Sequence, residues 1–184
     1  MPPQKGIMSS LAIVGTGYAF WSSPKLELKN KDVWAFNAGA THYPITAAFQ
    51  MHKPEGYISN GEKYLTWLSN LTVPVYMREV HPEFPTSIAY PFEEIFAMTK
   101  HVFQGTRKWE ELIFFTSSVS MAIALAILQN RTKIDIYGVE LVDKKEYIDQ
   151  RECFSFWIGF AAGRNISLDI HCADSIFKKP IYGS

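Results

Sequence analysis

Short apolar runs alternate with segments of helical period along the chain. The stretches "SLAIVG", "DVWAFN" and "AAFQMH" are each mostly apolar and bounded by Gly, Asn or His. Runs of that length and composition predict strands buried on both faces. "NGEKYLTWLSNL" instead gathers Tyr64, Leu65, Trp67, Leu68 and Leu71 on one side of a helix. "VPVYM" reads as a fourth strand. The proline-rich "REVHPEFPTSIAYPFEEIFAM" predicts an irregular passage into a short helix near Phe92.

The segment "FFTSSVSMAIALAILQN" carries the sharpest pattern. A strand-like pair, Phe114 and Phe115, precedes three hydroxyl residues and then a helix with almost no polar face. Such a helix must be buried over most of its circumference. Thr116, Ser117 and Ser118 can cap its N-terminus, and the same turn can hold an anion on the outward-pointing first amides. "KIDIYG" and "ISLDIH" predict two further strands, with a helix over "QRECFSFWIGFAAGRN" between them. This alternation predicts an α/β fold, a Rossmann-like three-layer sandwich with a mainly parallel central sheet. No internal repeat or linker divides it, so residues 1–184 read as a single domain.

Composition narrows the function classes. A hydrophobic share of 47% with 15% aromatic residues describes a folded globule. Eighteen basic residues balance eighteen acidic ones, which argues against a nucleic-acid groove or an anionic membrane as partner. Neutral charge with many aromatics suits self-association, and a homo-oligomer is expected. Two cysteines, Cys153 and Cys172, are too few for a structural zinc centre and read as reduced thiols. With no transmembrane-length apolar run and no signal-peptide core, a cytoplasmic location is expected.

In parallel sheets, ligands bind beyond the carboxyl ends of the strands. The residues at the predicted exits are Gly15, Thr16 and Gly17, then Asn37, His52, Thr116 to Ser118, and Gly138 to Glu140. "GTG" is neither a dinucleotide fingerprint nor a P-loop, yet its turn can bring backbone amides close to a phosphate. Asn37 can bond a sugar or base edge, or simply end a strand in a turn conformation. His52 can serve as acid, base or phosphate donor, or as a structural residue. Glu140 can bind ribose hydroxyls or a metal, with Asp143 and Glu146 nearby. Tyr147, Gln150 and Arg151 cluster at a helix entrance. The arginine fork suits phosphate, its bland alternative being an ion pair with Glu152.

The segments "IVGTG", "WAFNAG", "FFTSSVSMAIALAI" and "IDIYGVEL", in that order, resemble the bacterial sialyltransferase fold and its 6-hydroxymethylpterin pyrophosphokinase-like relatives. Small uncharacterised proteins of bacteria and their phages resemble the chain more closely, through similar "FTSS", "YG" and "EYxxQR" segments. The resemblance implies a nucleotide-binding-like α/β domain. Gly15, Thr16 and Gly17 would then contact phosphate or ribose, and Asn37 would hold the nucleoside. Thr116 and Ser117 would take the phosphate or sugar, and Gly138 with Glu140 the ribose or base. Two departures stand out. Glu140 replaces the family's usual aspartate, and the long lid that carries a general-base histidine is missing. His52 and His171 are the substitutes for that base.

The leading expectation is a glycosyltransferase-like enzyme using a nucleotide-activated sugar. The alternative is a non-catalytic sensor or sponge for a signalling nucleotide. Pyrophosphoryl transfer or nucleotide hydrolysis would require a metal on Glu140 and Asp143, and the sparse carboxylates make a divalent metal the weakest expectation.

Overall fold

A computed structural model describes residues 10–17, 28–102, 115–139, 141 and 145–171, without the side chains of 145–148. Within it, seven strands form one sheet in which each neighbouring pair is parallel. They are β1 (Ser10–Val14), β2 (Asp32–Phe36), β3 (Ala47–Gln50), β4 (Val75–Met77), β5 (Ser87–Ala89), β6 (Lys133–Tyr137) and β7 (Ser167–Ile170). The helices are α1 (Pro54–Ile58), α2 (Glu62–Ser69), α3 (Phe92–Thr99), α4 (Ser118–Leu128) and α5 (Lys145–Gly163), with a 3-10 turn at Asn37–His42.

The order β5-β4-β3-β2-β1-β6-β7 puts β1 inside the sheet. The chain steps outward from β1 to β5, then returns past β1 to build β6 and β7 on its other side. The order therefore reverses between β1 and β6, which makes their carboxyl ends the topological switch point.

Alternate residues of β1 feed two cores. Leu11 and Ile13 join the cluster that contains α4 and α5, while Ala12 and Val14 join Val33, Ala35, Ala40 and Tyr137. A third cluster, around Ala48, Val75 and Met77, takes Tyr57 of α1 with Tyr64 and Leu68 of α2. Helices on both faces of a doubly buried sheet give the predicted three layers. The α4 segment is buried from Val119 to Ile127, as its all-apolar sequence requires.

Two elements differ from the sequence reading. The proline-rich passage contains β5, a three-residue edge strand with Ile88 exposed. Its brevity and exposure leave almost no apolar signal. Of the strand-like pair before Thr116, Phe114 falls outside the described residues and Phe115 lies in no strand.

Among the described residues, buried charge is confined to paired groups. Arg131 is bonded to Asp32 and sits over the Trp34 ring at the amino ends of the strands. Asp135, 1% exposed, meets Lys31 at 2.9 Å and Lys133 at 3.5 Å. Burial lowers the Lys31 pKa, but bonds to Asp135 and Tyr137 outweigh it and hold the ammonium above its usual range. No described helix is long and apolar enough to cross a membrane.

Candidate functional site

The exits of β1 and β6 are bound together beyond the last strand pair. Gly15 N–H donates to Tyr137 O at 2.8 Å, and Gly17 N–H donates to Gly138 O at 2.7 Å. A Cβ on Gly15 would lie 2.3 Å from Gly138 O, so only glycine permits this approach. Gly138 turns the chain with φ +61°. The amides of Gly15 and Gly17 are thus spent on the sheet edge. They shape the crevice, and phosphate binding through those two amides does not fit this arrangement.

Asn37 follows β2 with φ +50°, a left-handed conformation that asparagine tolerates better than most residues. Its Nδ2 lies 3.3 Å from His52 Nε2 at the exit of β3. Donation from the amide leaves the His52 ring proton on Nδ1. Asn37 Oδ1 is buried and has no partner among the described residues. Buried polar atoms are usually satisfied, and an orphan acceptor at a strand exit marks a place where a ligand donor fits. The 3-10 turn also closes on the first loop, since a Cβ on Gly39 would meet Thr16 Cγ2 at 2.6 Å.

The hydroxyl turn reaches the same edge by a different route. Four residues separate the end of α4 from the start of β6, so α4 runs antiparallel to the strands. Its 11 residues span roughly 16 Å, about the length of a five-residue strand. The Thr116–Ser118 turn therefore lies at the carboxyl edge, on the side of Gly17 and Asn37. Ser117 Oγ accepts from Ser120 N–H at 3.3 Å and shares a 2.8 Å bond with Ser120 Oγ. Thr116 Oγ1 donates to Asp149 O at 3.1 Å, tying the turn to α5. Ser118 is the first residue of the helix.

Arg151 is turned toward the loop after β6. Its Nε and Nη2 donate to Leu141 O at 3.2 and 2.5 Å, so the fork grips a backbone carbonyl and not Glu152. Gln150 is half-buried beside it. Glu140 and Asp143, and the side chain of Tyr147, lie outside the described residues.

The two candidate bases part company. His52 borders Asn37, whereas His171 follows β7 and stacks on Tyr137 with ring centroids 4.2 Å apart and 3.5 Å from Asp169. Four strand steps of about 4.8 Å separate β3 from β7, which puts the two histidines roughly 19 Å apart across the sheet. One site cannot use both. Asp135, Asp169 and His171 do bring ligand atoms within 4.8 Å of one another. Lys31 already neutralises Asp135 there, and a cation would have to displace it.

Sequence reasoning missed a cavity of about 420 Å³ at the exits of β3, β4 and β5, lined by His52, Lys53, Pro54, Glu55, Met77, Arg78, Glu79, His81 and Phe92. Tyr57 beneath it has its phenol pKa raised, first by burial and then by Glu83, Glu55 and Glu79. The histidine in "REVHPEF" was the available signal, hidden in a segment without period.

No protein-family model matches the sequence, and no curated protein matches it. Solved structures do share its shape. The sialyltransferase CstII from Campylobacter jejuni in complex with cytidine-5'-monophosphate superposes with a TM-score of 0.55 at 15% identity, covering 93% of this chain and 85% of that one. The same enzyme in complex with CMP-3FNeuAc gives 0.58 at 16% identity over 90% and 81% of the two chains. An α-2,3-sialyltransferase from Campylobacter jejuni in apo form gives 0.51 at 16% identity over 94% and 78%. At these identities the likeness is one of fold: the chain has the Rossmann-like α/β fold of the bacterial sialyltransferases.

Proposed function

We propose that this chain binds a nucleotide across the β1–β6 switch point and acts as a glycosyltransferase-like enzyme on a nucleotide-activated sugar. The observation that carries the reading is Asn37, whose buried Oδ1 waits unpartnered at a strand exit next to His52. A ribose hydroxyl or a base amino group would satisfy it. The Gly15–Gly17 turn, closed on Gly138, forms the floor beneath that nucleoside. Similar folds hold CMP and CMP-3FNeuAc, which is a nucleotide and a nucleotide sugar.

The leaving phosphate would lie between the start of α4 and Arg151. Ser117 occupies the Ser120 amide, so the amides of Ser118 and Val119 remain at the helix entrance for an anion. Arg151 Nε and Nη2 are committed to Leu141 O, and Nη1 is the edge offered to phosphate. Preorganised donors of this kind stabilise the charge that develops as the glycosidic bond to phosphate breaks. His52, its Nε2 engaged by Asn37, holds that amide in place and borders the sugar.

The test is a thermal-shift screen of CMP, UDP, GDP and cyclic nucleotides, followed by product analysis with the matching sugar nucleotides. Stabilisation by one nucleotide and release of that nucleotide from its sugar conjugate support the reading. Binding without turnover, across varied acceptors and divalent metals, would make the chain a binding protein instead. No stabilisation by any of them contradicts the proposal.

A further inference from the structure

We propose that His81, oriented by Glu83, is the proton acceptor for the second substrate, a compound presenting a hydroxyl group in the cavity at the exits of β3 to β5. The inference rests on the glycosyltransferase-like reading above and adds the group that reading lacks.

His81 is held from three directions. Its N–H donates to Ser87 Oγ at 3.0 Å, and Ser87 Oγ donates back to His81 O at 2.9 Å, fixing the backbone to the start of β5. Tyr57 meets the ring edge-on at 6.0 Å and 87°, and Phe84 lies 6.2 Å away. The His81 side chain is only 14% exposed, and its Nδ1 lies 3.3 Å from Glu83 Oε1. A carboxylate this close to Nδ1 favours the tautomer with its proton there and leaves the Nε2 lone pair for a proton from elsewhere. Nε2 lies 4.0 Å from Glu79 Oε1, beyond hydrogen-bond range. The other charged groups around the ring are Glu55, Lys53, His52 and Arg78, all on the cavity wall.

Placement agrees with the chemistry. His52 is both a neighbour of Asn37 and part of this cavity, so the two sites adjoin. From the exit of β2 to that of β4 is two strand steps, roughly 10 Å, the span of the sugar half of an activated donor. The acceptor hydroxyl gives its proton to His81 Nε2 while its oxygen bonds to the anomeric carbon. The anomeric carbon–phosphate oxygen bond breaks, and its electron pair leaves with the nucleotide. Glu83 stabilises the imidazolium, which then releases the proton to solvent.

The experiment measures nucleotide release from CMP-N-acetylneuraminate, UDP-sugars and GDP-sugars between pH 5 and 9, roughly the span over which an imidazole titrates, with nucleotide affinity measured in parallel. His81→Asn should leave nucleotide affinity unchanged, lower turnover about 100-fold or more and abolish its rise with pH. Added imidazole should restore part of the rate. Glu83→Gln, at an exposed side chain that folding tolerates, should lower turnover while leaving affinity intact. If either variant keeps the wild-type rate and pH profile, this assignment falls and the nucleotide reading stands. Should the wild type neither bind nor turn over any donor, both fall together.

Discussion

Adding a single methyl group at Gly15 tests whether the β1–β6 crevice is built as described. The methyl of Gly15→Ala would sit 2.3 Å from Gly138 O, 2.9 Å from its carbonyl carbon and 3.1 Å from Val139 Cγ2. An ordinary carbon–oxygen contact is about 3.3 Å or more, so the two strand exits must separate by about 1 Å. Both obstructing Gly138 atoms are backbone, which cannot rotate aside. That separation strains the bonds from Gly15 N–H and Gly17 N–H, now 2.8 and 2.7 Å. Each is worth about 1 kcal/mol net and overpacking about 1–3 kcal/mol, together about 3–5 kcal/mol. For a chain of this size the melting temperature should fall by about 6–20 °C. Gly39→Ala is the control. Its methyl meets the Thr16 Cγ2 side-chain atom at 2.6 Å, which can turn away, and Thr16→Ser removes that atom altogether. The loss at Gly39 should be smaller and should vanish in the Thr16→Ser background. A Gly15→Ala protein that melts within about 2 °C of wild type would refute the packing argument.

Ser117→Ala removes the cap of α4 and the partner of the buried Ser120 hydroxyl; about 1–3 kcal/mol should be lost in urea titrations, with CMP affinity near wild type because Oγ is already committed. Lys31→Met should cost about 3 kcal/mol at neutral pH by leaving Asp135 short of its nearer partner. The Lys31 pKa is raised in the fold, so its stabilisation is complete below the ordinary lysine value of 10.5 and disappears as pH rises through the folded value. Alkaline unfolding curves should show that decline in wild type and not in Lys31→Met. Arg151→Lys should weaken CMP binding, because one ammonium cannot span Leu141 O and a phosphate as the fork does. The deficit should shrink as salt rises, and calorimetric titration at two ionic strengths would show a salt-independent deficit if the role is purely structural.

The sheet's inner strands were legible because runs such as Leu11–Val14 and Val33–Phe36 are apolar on both faces, which only a covered parallel sheet requires. The all-round apolar α4 announced its burial for the same reason. Strand β5 was not legible, since Ser87–Ala89 owes its strand state to pairing with β4 and not to a pattern of its own. At the site, the strand-exit rule found Asn37 and His52 but could not show that they bond to each other. The same rule gave Ser117 a ligand role, and its planar fork at a helix entrance gave Arg151 one, while local partners, Ser120 and the Leu141 carbonyl, claim much of their bonding capacity. His81 escaped because Glu83 and Ser87 meet it through turns in a proline-rich segment, and Tyr57 reaches it from α1, far away in sequence. Backbone carbonyls and turn geometry leave no residue signature, and such contacts are what the sequence conceals.

A nucleotide at the switch point would bond to Asn37 Oδ1. Glycine suits the φ of +50° at this position, so Asn37→Gly removes the side chain without the strain that alanine would add. Calorimetric titration of CMP, or of whichever nucleotide stabilises the wild type, into both proteins is the direct measurement. Loss of the hydrogen bond to Oδ1 should weaken binding by about 10-fold or more, with melting temperature nearly unchanged. Equal affinity in Asn37→Gly and wild type would contradict the account and move the nucleotide, if it binds at all, away from this crevice.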